Sequence, residues 1–214
     1  MYEFILFDLD GTLTESGQGI VNSVVYALKK MGIKENDKAK LEKFVGPPLL
    51  DSFMEYYDFT EEEAKQAVTF YREYFAEQGI YEAPLYEGIE TTLRYLKNSG
   101  KTLYVATSKP EVFARRILQH LQIEDYFVDI VGSNLDGTKV KKDEIISFLL
   151  EKNEIVDRSK VIMVGDREHD IFGAKKVGVD SVGVLYGYGD YQELESAGAT
   201  YIIERLDDIM KIVL

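Results

Sequence analysis

The residues with the clearest chemical potential lie in one short segment near the start of the chain. Asp8-Leu9-Asp10-Gly11-Thr12 places two carboxylates two residues apart, directly after an apolar run. On extended backbone such side chains point the same way, and the adjacent glycine permits a tight turn. A pair of this kind can supply a nucleophile and a general acid/base. The same residue types also suit an Asx turn or a helix cap, so the segment alone leaves both interpretations open.

Hydroxyl groups follow a second apolar run. Thr107-Ser108-Lys109-Pro110 comes after the run at 102–107 and precedes a helical pattern. Hydroxyls and free N–H groups at a helix N-terminus could bind a phosphate group. A simple Ser or Thr cap with proline in the first helical turn is the alternative interpretation.

A third segment is acidic and is preceded along the chain by lysines. Asp166 and Asp170 follow the apolar run at 161–165, and their spacing of four predicts that both face one side of a starting helix. There they could complete a site for a hard cation, although capping and a solvated acidic turn would also account for them. One of three lysines could neutralise converging carboxylates and phosphate: Lys139, Lys141 and Lys142.

The hydrophobic pattern predicts a scaffold that would bring these segments together. Five short apolar runs predict buried parallel strands, at 3–8, 102–107, 127–132, 161–165 and 181–185. Helical patterns lie between or after them, at 88–99, 110–121, 142–152, 170–177 and 190–197. This alternation predicts an α/β fold, a Rossmann-like parallel sheet with helices on both faces. Ligands bind such sheets beyond the carboxyl ends of the strands, where the three segments lie.

One long stretch lacks a strand pattern. Residues 17–31 and 60–79 have helical periodicity, and Thr60 with Glu63 forms a capping-box signature. We therefore expect a helical cap at 15–83 inserted after the first strand, with an α/β catalytic core formed by 1–14 and 84–214.

Composition limits the function classes. The 214 residues carry 25 Lys+Arg and 38 Asp+Glu, a formal net charge of −13, which argues against nucleic acid or an anionic membrane as the main partner. There is no cysteine, so a thiolate nucleophile is excluded, and two histidines make a multi-His metal site a poor fit. No apolar run is long enough to span a membrane, and no basic segment of a secretory signal precedes the first apolar run. The expected location is the cytoplasm.

Acids, hydroxyls and a lysine at successive strand ends suit phosphoryl transfer through an aspartyl-phosphate. A carboxylate nucleophile can approach a phosphate dianion only when charge is masked, which Mg²⁺ and a lysine would do. A second carboxyl group can protonate the leaving oxygen and then activate water.

The motifs, taken in order, resemble those of the haloacid dehalogenase superfamily, phosphatase branch, and the helical insertion resembles its small cap. The resemblance implies Asp8 as nucleophile and Asp10 as general acid/base. It implies phosphate binding by Thr107 and the Ser108 backbone. For the lysine motif we select Lys142, because it directly precedes the helix from Asp143, with Lys141 as the alternative.

The resemblance also implies a cofactor and a substrate class. Mg²⁺ would be held by Asp8, the carbonyl group of Asp10 and Asp166, with Asp170 supporting the metal shell. The expected activity is hydrolysis of a small-molecule phosphate monoester by a monomer or dimer.

Two segments further resemble the phosphoglycolate phosphatase-like group, which includes enzymes described as phosphoglycolate phosphatases and 5′-nucleotidases. They are Val45-Gly46-Pro47-Pro48-Leu49 and Ala106-Thr107-Ser108-Lys109-Pro110. Gly46 and Lys109 are therefore substrate candidates. The alternatives are a turn between cap helices for Gly46 and a surface charge for Lys109.

Other functions remain open at this point. A phosphosugar mutase of the same fold would keep its aspartyl-phosphate from water and release no net phosphate. A phospho-receiver module also gathers acids, hydroxyls and a lysine, but it is shorter, lacks a helical insertion and carries its acceptor on a middle strand. A catalytically silent binding protein would keep the fold without the activity.

Overall fold

A single parallel sheet carries the strand ends that hold the candidate residues. The computed structural model describes residues 1–214. Its six strands lie in the order β3-β2-β1-β4-β5-β6, and every neighbouring pair is parallel. The strands are β1 Phe4–Phe7, β2 Thr102–Pro110, β3 Asp129–Ser133, β4 Val161–Gly165, β5 Asp180–Val184 and β6 Tyr201–Ile203.

Ten helices connect the strands or follow them. They are α1 Gly17–Lys30, α2 Lys38–Glu42, α3 Leu49–Tyr57, α4 Glu61–Glu77, α5 Ile89–Asn98, α6 Glu111–His120, α7 Lys142–Lys152, α8 Glu168–Val177, α9 Tyr191–Ala197 and α10 Met210–Val213. The predicted α/β class is confirmed, including the helical insert after β1. None of the helices is both long enough and apolar enough to cross a lipid bilayer.

Both faces of the sheet are covered, so its strands are apolar on both sides. Leu6 of β1 and Met163 of β4 belong to a buried cluster with residues of α7 and α8. The alternate residues Ile5 and Phe7 of β1 are also fully buried. Phe7 makes an edge-to-face contact with Phe127, with ring centroids 6.3 Å apart. Burial on two faces explains why the sequence shows continuous apolar runs rather than alternation.

The chain divides into two compact units. One unit consists of Met1–Glu15 and Leu85–Leu214 and contains the sheet, whereas the other consists of Ser16–Pro84 and is helical. In the helical unit, α4 begins with the capping box predicted from the sequence. The Thr60 side chain accepts a hydrogen bond from the Glu63 backbone N–H, and the Glu63 carboxylate accepts from the Thr60 backbone N–H at 2.9 Å.

Aromatic side chains form a core within the helical unit. Phe44 and Phe53 are almost completely buried and lie 4.9 Å apart between ring centroids. Tyr71 and Phe75 of α4 are stacked at 5.3 Å and are also buried. These four buried rings therefore contribute to the stability of the helical unit.

One strand was not predicted from the sequence, and another is longer than its apolar run. Strand β6 has only three residues and lies at the sheet edge, which leaves too short an apolar pattern to detect. The apolar run of β2 ends at Thr107, but the strand continues to Pro110, and its register with β3 shifts between Ala106 and Pro110. Thr107 and Ser108 lie in this strand, and α6 begins at Glu111, one residue after the predicted start, with Pro110 and not a serine or threonine as its N-cap.

Candidate active site

The Asp8–Thr12 segment lies at the carboxyl end of the central strand. The Asp8 backbone N–H donates to the Val164 carbonyl at 2.9 Å, which extends the β1–β4 pairing by one residue. The chain then turns, and Gly11 has a φ of 80°, a conformation that other residues rarely adopt. A Cβ atom on Gly11 would overlap the Asp166 carboxylate. Glycine is therefore required both by the turn and by the close approach of Asp166.

Three carboxylates meet beyond the strand ends. One oxygen from each of Asp8, Asp166 and Asp170 lies within 4.8 Å of the others. Asp166 follows β4 directly, and Asp170 lies in the first turn of α8, where it accepts from the Arg167 N–H at 3.2 Å. The two side chains converge as the sequence predicted, although Asp166 precedes the helix rather than lying within it.

Lys142 is the cation of this cluster. Its ammonium group lies 2.9 Å from the Asp8 carboxylate and 2.8 Å from the Asp170 carboxylate, and it donates to the Ala106 carbonyl at 3.0 Å. The side chain is 4% exposed. Lys142 is the first residue of α7, whereas Lys141 caps that helix and is exposed. The structure therefore places Lys142, and not Lys141, among the carboxylates.

Burial and neighbouring charges shift the pKa values of the acids and of the lysine in this cluster. Burial raises the pKa of Asp8, Lys142 opposes the rise, and the Asp170 carboxylate adds to it. Burial raises the pKa of Asp166 well above its usual range, with further rises from Asp170 and Asp8. Burial alone would lower the pKa of Lys142, but Asp170 and Asp8 hold it above its usual value. Three acids and one lysine leave net negative charge in a buried site, which is energetically unfavourable.

A divalent cation would fit this donor set. Carboxylate oxygens are the ligands that Mg²⁺ prefers, and a cation would offset the mutual repulsion of the three acids. The buried Oδ1 atom of Asp10 also lacks a hydrogen-bond partner. The Asp10 carboxylate is not one of the three clustered groups, however, and its other oxygen pairs with a different residue.

The residue that pairs with Asp10 is Lys109. Its ammonium group lies 2.9 Å from Oδ2 of Asp10, and its side chain is 6% exposed. Lys109 is therefore not the surface charge that the sequence left open. Its backbone N–H also donates to the Thr107 hydroxyl at 3.2 Å, so residues 107–109 form a short polar end to β2.

The remaining predicted residues differ in their surroundings. Thr107 is 1% exposed, whereas Ser108 is half-buried in the same strand. Gly46 belongs to the helical unit, is exposed and has a φ of 104°. This value agrees with the turn that the sequence suggested for Gly46.

A loop after β5 completes the site, and the sequence reading missed it. The Tyr188 backbone N–H donates to Asp166 at 2.8 Å, and the Tyr186 hydroxyl donates to the Thr12 carbonyl at 2.8 Å. Thr12 in turn donates its hydroxyl to Asp166 at 3.3 Å. The alternating sequence Tyr186-Gly187-Tyr188-Gly189 could have indicated this loop, because glycines at this spacing after a strand allow the backbone to lie close to neighbouring groups.

The parallel sheet, its helical insert after β1 and the buried cluster of acids with one lysine are the features of one class of α/β hydrolases. The chain belongs to the haloacid dehalogenase-like hydrolase family, whose model matches residues 5–184. It is a phosphatase-like member of that family.

Relatives of this chain carry the names of two phosphatases and of a kinase. The chain is 46% identical over 212 residues to a 5′-nucleotidase of Pseudomonas aeruginosa, covering 99% of this chain and 96% of that protein. It is 27% identical over 219 residues to a phosphoglycolate phosphatase of Vibrio parahaemolyticus, covering 99% and 96%. A tyrosine-protein kinase, PtkA of Mycobacterium tuberculosis, is 37% identical over 202 residues, covering 94% of this chain and 68% of that protein.

A solved structure resembles the whole chain. The crystal structure described as a predicted phosphatase from Clostridium acetobutylicum superposes with a TM-score of 0.95 at 48% identity. The match covers 100% of this chain and 98% of that one. The fold is thus shared along the full length.

Proposed function

We propose that the protein is a Mg²⁺-dependent phosphatase that hydrolyses a small-molecule phosphate monoester through an aspartyl-phosphate on Asp8. The observation that carries this proposal is the Lys142 ammonium, held within 3 Å of both Asp8 and Asp170 in a buried cluster of three acids. This arrangement masks the charge of a carboxylate nucleophile, which is the main obstacle to its attack on a phosphate dianion.

Mg²⁺ is the cation that we assign to the cluster. Asp8 and Asp166 would ligate it together with the Asp10 carbonyl, and Asp170 would support this shell. When bound, Mg²⁺ would neutralise charge on the transferring phosphoryl group.

The first chemical step uses Asp8 and Asp10. An Asp8 carboxylate oxygen attacks the phosphorus atom, a new P–O bond forms, and the bond from phosphorus to the ester oxygen breaks. A protonated Asp10 gives its proton to the departing oxygen, so that an alcohol leaves. In the second step Asp10 takes a proton from water, whose oxygen attacks the same phosphorus atom while the bond from phosphorus to the Asp8 oxygen breaks. Inorganic phosphate and free Asp8 result.

Donors around the phosphoryl oxygens would be supplied by two elements. Lys142 reaches the cluster from the start of α7, and Thr107 with the Ser108 backbone lies near the end of β2. Their N–H, O–H and ammonium groups would stabilise charge on the equatorial oxygens in the transition state. Residues 15–83 would act as the cap that excludes bulk water, with Gly46 in a substrate loop.

A nucleoside monophosphate is the first substrate to test and phosphoglycolate the second. The order follows identity, 46% to the 5′-nucleotidase and 27% to the phosphoglycolate phosphatase. With phosphoglycolate, Lys109 would provide a cation for the carboxylate that this substrate carries besides its phosphate. The net charge of −13 supports a small phosphate ester over a polyanion, and we propose a cytoplasmic monomer or dimer without nucleic-acid or membrane partners.

The test is release of inorganic phosphate from a panel of esters in Mg²⁺, by the unaltered protein and by D8N. The panel includes nucleoside 5′-monophosphates, phosphoglycolate, sugar phosphates and an aryl phosphate. We expect turnover by the unaltered protein and none by D8N, because an amide is a poor nucleophile at phosphorus. Asp125→Asn is the control, since Asp125 is an exposed acid outside the cluster. Turnover by D8N equal to that of the unaltered protein would overturn the role of Asp8.

The same panel separates the other candidates. A mutase would convert a sugar monophosphate without net phosphate release, and a receiver module would accumulate a long-lived phosphoprotein without turnover. An arm with ATP and a tyrosine-containing peptide tests the kinase chemistry that the name of the mycobacterial relative suggests. Phosphopeptide formation without hydrolysis of any ester would replace the phosphatase proposal.

A further inference from the structure

The loop after β5 contacts both the Asp8 turn and Asp166, although neither sequence motif includes it. We call residues Tyr186–Gly189 the tyrosine–glycine loop. Its Tyr186 hydroxyl donates to the Thr12 carbonyl at 2.8 Å, and its Tyr188 N–H donates to Oδ2 of Asp166 at 2.8 Å. The Thr12 hydroxyl donates to the other Asp166 oxygen, Oδ1, at 3.3 Å. These three bonds form one chain from the loop through the turn to the carboxylate.

Both oxygens of Asp166 are thereby fixed. The side chain is fully buried, so water cannot substitute for either donor. A carboxylate with one donor on each oxygen cannot rotate without breaking a hydrogen bond, and a lost bond to a buried charge is costly. The direction in which Asp166 presents its lone pairs therefore depends on Tyr188 and Thr12.

The backbone of the loop fits against the same groups. A Cβ atom on Gly187 would overlap the Cβ of Asp166 and the carbonyl oxygen of Gly11. A Cβ atom on Gly189 would overlap the Asp166 carbonyl oxygen. Glycine at both positions lets the loop lie directly on the Asp8 turn and on Asp166, at a distance that no side chain permits.

The ring of Tyr186 is held from its other side. It packs edge-to-face against Tyr86, with ring centroids 5.0 Å apart and an interplanar angle of 65°. This contact restricts the ring and so fixes the position of its hydroxyl group.

From this geometry we propose that the tyrosine–glycine loop is a positioning element for the metal site, with Tyr186 and Gly187 as positioning residues that set Asp166 against the Asp8 turn. The inference rests on the proposed function, because it concerns the Mg²⁺ assigned to the same cluster. The loop takes no part in the proposed bond-making and bond-breaking steps. It acts through Thr12 and Asp166, as outer-shell partners orient metal ligands in other proteins.

The test measures Mg²⁺ binding by isothermal titration calorimetry, so it does not depend on turnover. Tyr186→Phe keeps the ring and removes only the hydroxyl bond to Thr12. Its matched control is Tyr2→Phe, which removes a hydroxyl bond of 2.6 Å to Asp180, at the amino-terminal end of β5 and so at the opposite end of the strands. We expect Tyr186→Phe to weaken Mg²⁺ binding by about tenfold, as outer-shell losses do, and Tyr2→Phe to leave it unchanged.

A second pair of variants tests the close approach of the Gly187 backbone to Asp166. Gly187→Ala should displace the loop from Asp166 and weaken Mg²⁺ binding by more than about tenfold. Gly100→Ala is its control, because Gly100 has a φ of 78° but nothing near its Cβ position, so the change strains the backbone away from the site. If Gly187→Ala fails to fold, the tyrosine pair still decides the proposal.

The outcomes separate the two proposals. Unchanged Mg²⁺ affinity in folded Tyr186→Phe overturns the positioning role, whether or not the unaltered protein hydrolyses esters. Weakened binding in Tyr186→Phe but not in Tyr2→Phe supports the role even if the ester panel shows no turnover and the phosphatase proposal fails. Absence of Mg²⁺ binding by the unaltered protein overturns the metal assignment and the positioning role together, and leaves the phosphate-release assay to judge the remaining chemistry.

Discussion

Lys109 and Asp10 form a largely buried ion pair at the end of the central strands, with 2.9 Å between the ammonium nitrogen and Oδ2. The proposed first step uses the same Asp10 carboxyl group to protonate the leaving oxygen. An anionic substrate would compete with Asp10 for the same ammonium group. Substrate binding and release of the Asp10 carboxyl group from its ion pair are thus linked through one lysine.

Replacing that lysine should weaken substrate binding more than it slows the chemistry. Lys109→Met keeps the apolar stem of the side chain and removes the ammonium group, so we expect KM to rise about tenfold or more for a substrate with a second anionic group. For a simple aryl phosphate, which lacks that group, KM should change far less. Steady-state kinetics on both substrates measures the contrast. Lys175→Met, at an exposed position, is the control, and an equal KM change for both substrates would contradict the prediction.

Removing the cation of the acidic cluster should affect both stability and turnover. Lys142→Met leaves Asp8 and Asp170 buried without their partner, and breaking a buried pair costs about 3–5 kcal/mol. Phosphate release should fall by at least about a hundredfold, because an ammonium group near the transferring oxygens is lost. Urea unfolding and the phosphate assay measure the two effects. Lys141→Met is a neighbouring exposed control, and a comparable loss in that variant would contradict the assignment.

Sequence patterns located the core of the site because simple geometric rules position it. Asp8 and Asp166 each come directly after a buried strand, and parallel strands β1 and β4 are neighbours, so their carboxyl ends must meet. Lys142 was selected from three lysines by its place at a helix start, and the structure places it between Asp8 and Asp170. The local sequence pattern was sufficient to predict a site residue where the residue directly follows a strand or begins a helix.

Pattern was insufficient where long-range contacts decide the local structure. Strand β2 continues past Thr107 because its end packs against β3, where a Cβ atom on Gly132 would lie 2.5 Å from the Lys109 carbonyl oxygen. Nothing within residues 102–110 encodes that approach. The contact between Tyr186 and Thr12 joins residues 174 positions apart, and only the spacing of Gly187 and Gly189 pointed to it.

Neutralising one acid of the cluster should stabilise the metal-free protein while removing its response to Mg²⁺. Asp166→Asn removes a buried negative charge that Asp8 and Asp170 repel, so in EDTA we expect the free energy of unfolding to rise by about 1 kcal/mol. At Mg²⁺ about 100-fold above its Kd, the unaltered protein should gain about 2.7 kcal/mol, and the variant much less. Thermal unfolding with and without Mg²⁺ measures both. A full Mg²⁺ response in Asp166→Asn would remove this residue from the metal site.

The pH dependence of stability should have a contribution from Asp129, at the start of β3. Burial alone would raise its pKa, but the Lys152 ammonium, the Asn153 amide and the Ile130 N–H donate to its carboxylate, and together they hold the pKa below its usual value. A lowered pKa in the folded state means stability that is present above the unfolded pKa and lost as pH falls through the folded pKa. The carboxylate also ties β3 to Arg115 of α6 at 3.5 Å.

Asp129→Asn should therefore destabilise the protein at neutral pH and have little effect in acid. Because Lys152 is 46% exposed, solvent weakens that ion pair, and we expect a loss of about 1–2 kcal/mol at pH 7. The difference from the unaltered protein should shrink steadily below about pH 4, the usual range of an unfolded aspartate, because the native carboxylate is then progressively protonated. Urea unfolding at pH 7, 5, 4 and 3 measures it, with Asp125→Asn as the exposed control. A loss that is independent of pH would show that Asp129 stabilises β3 through its shape and neutral hydrogen bonds, and not through its charge.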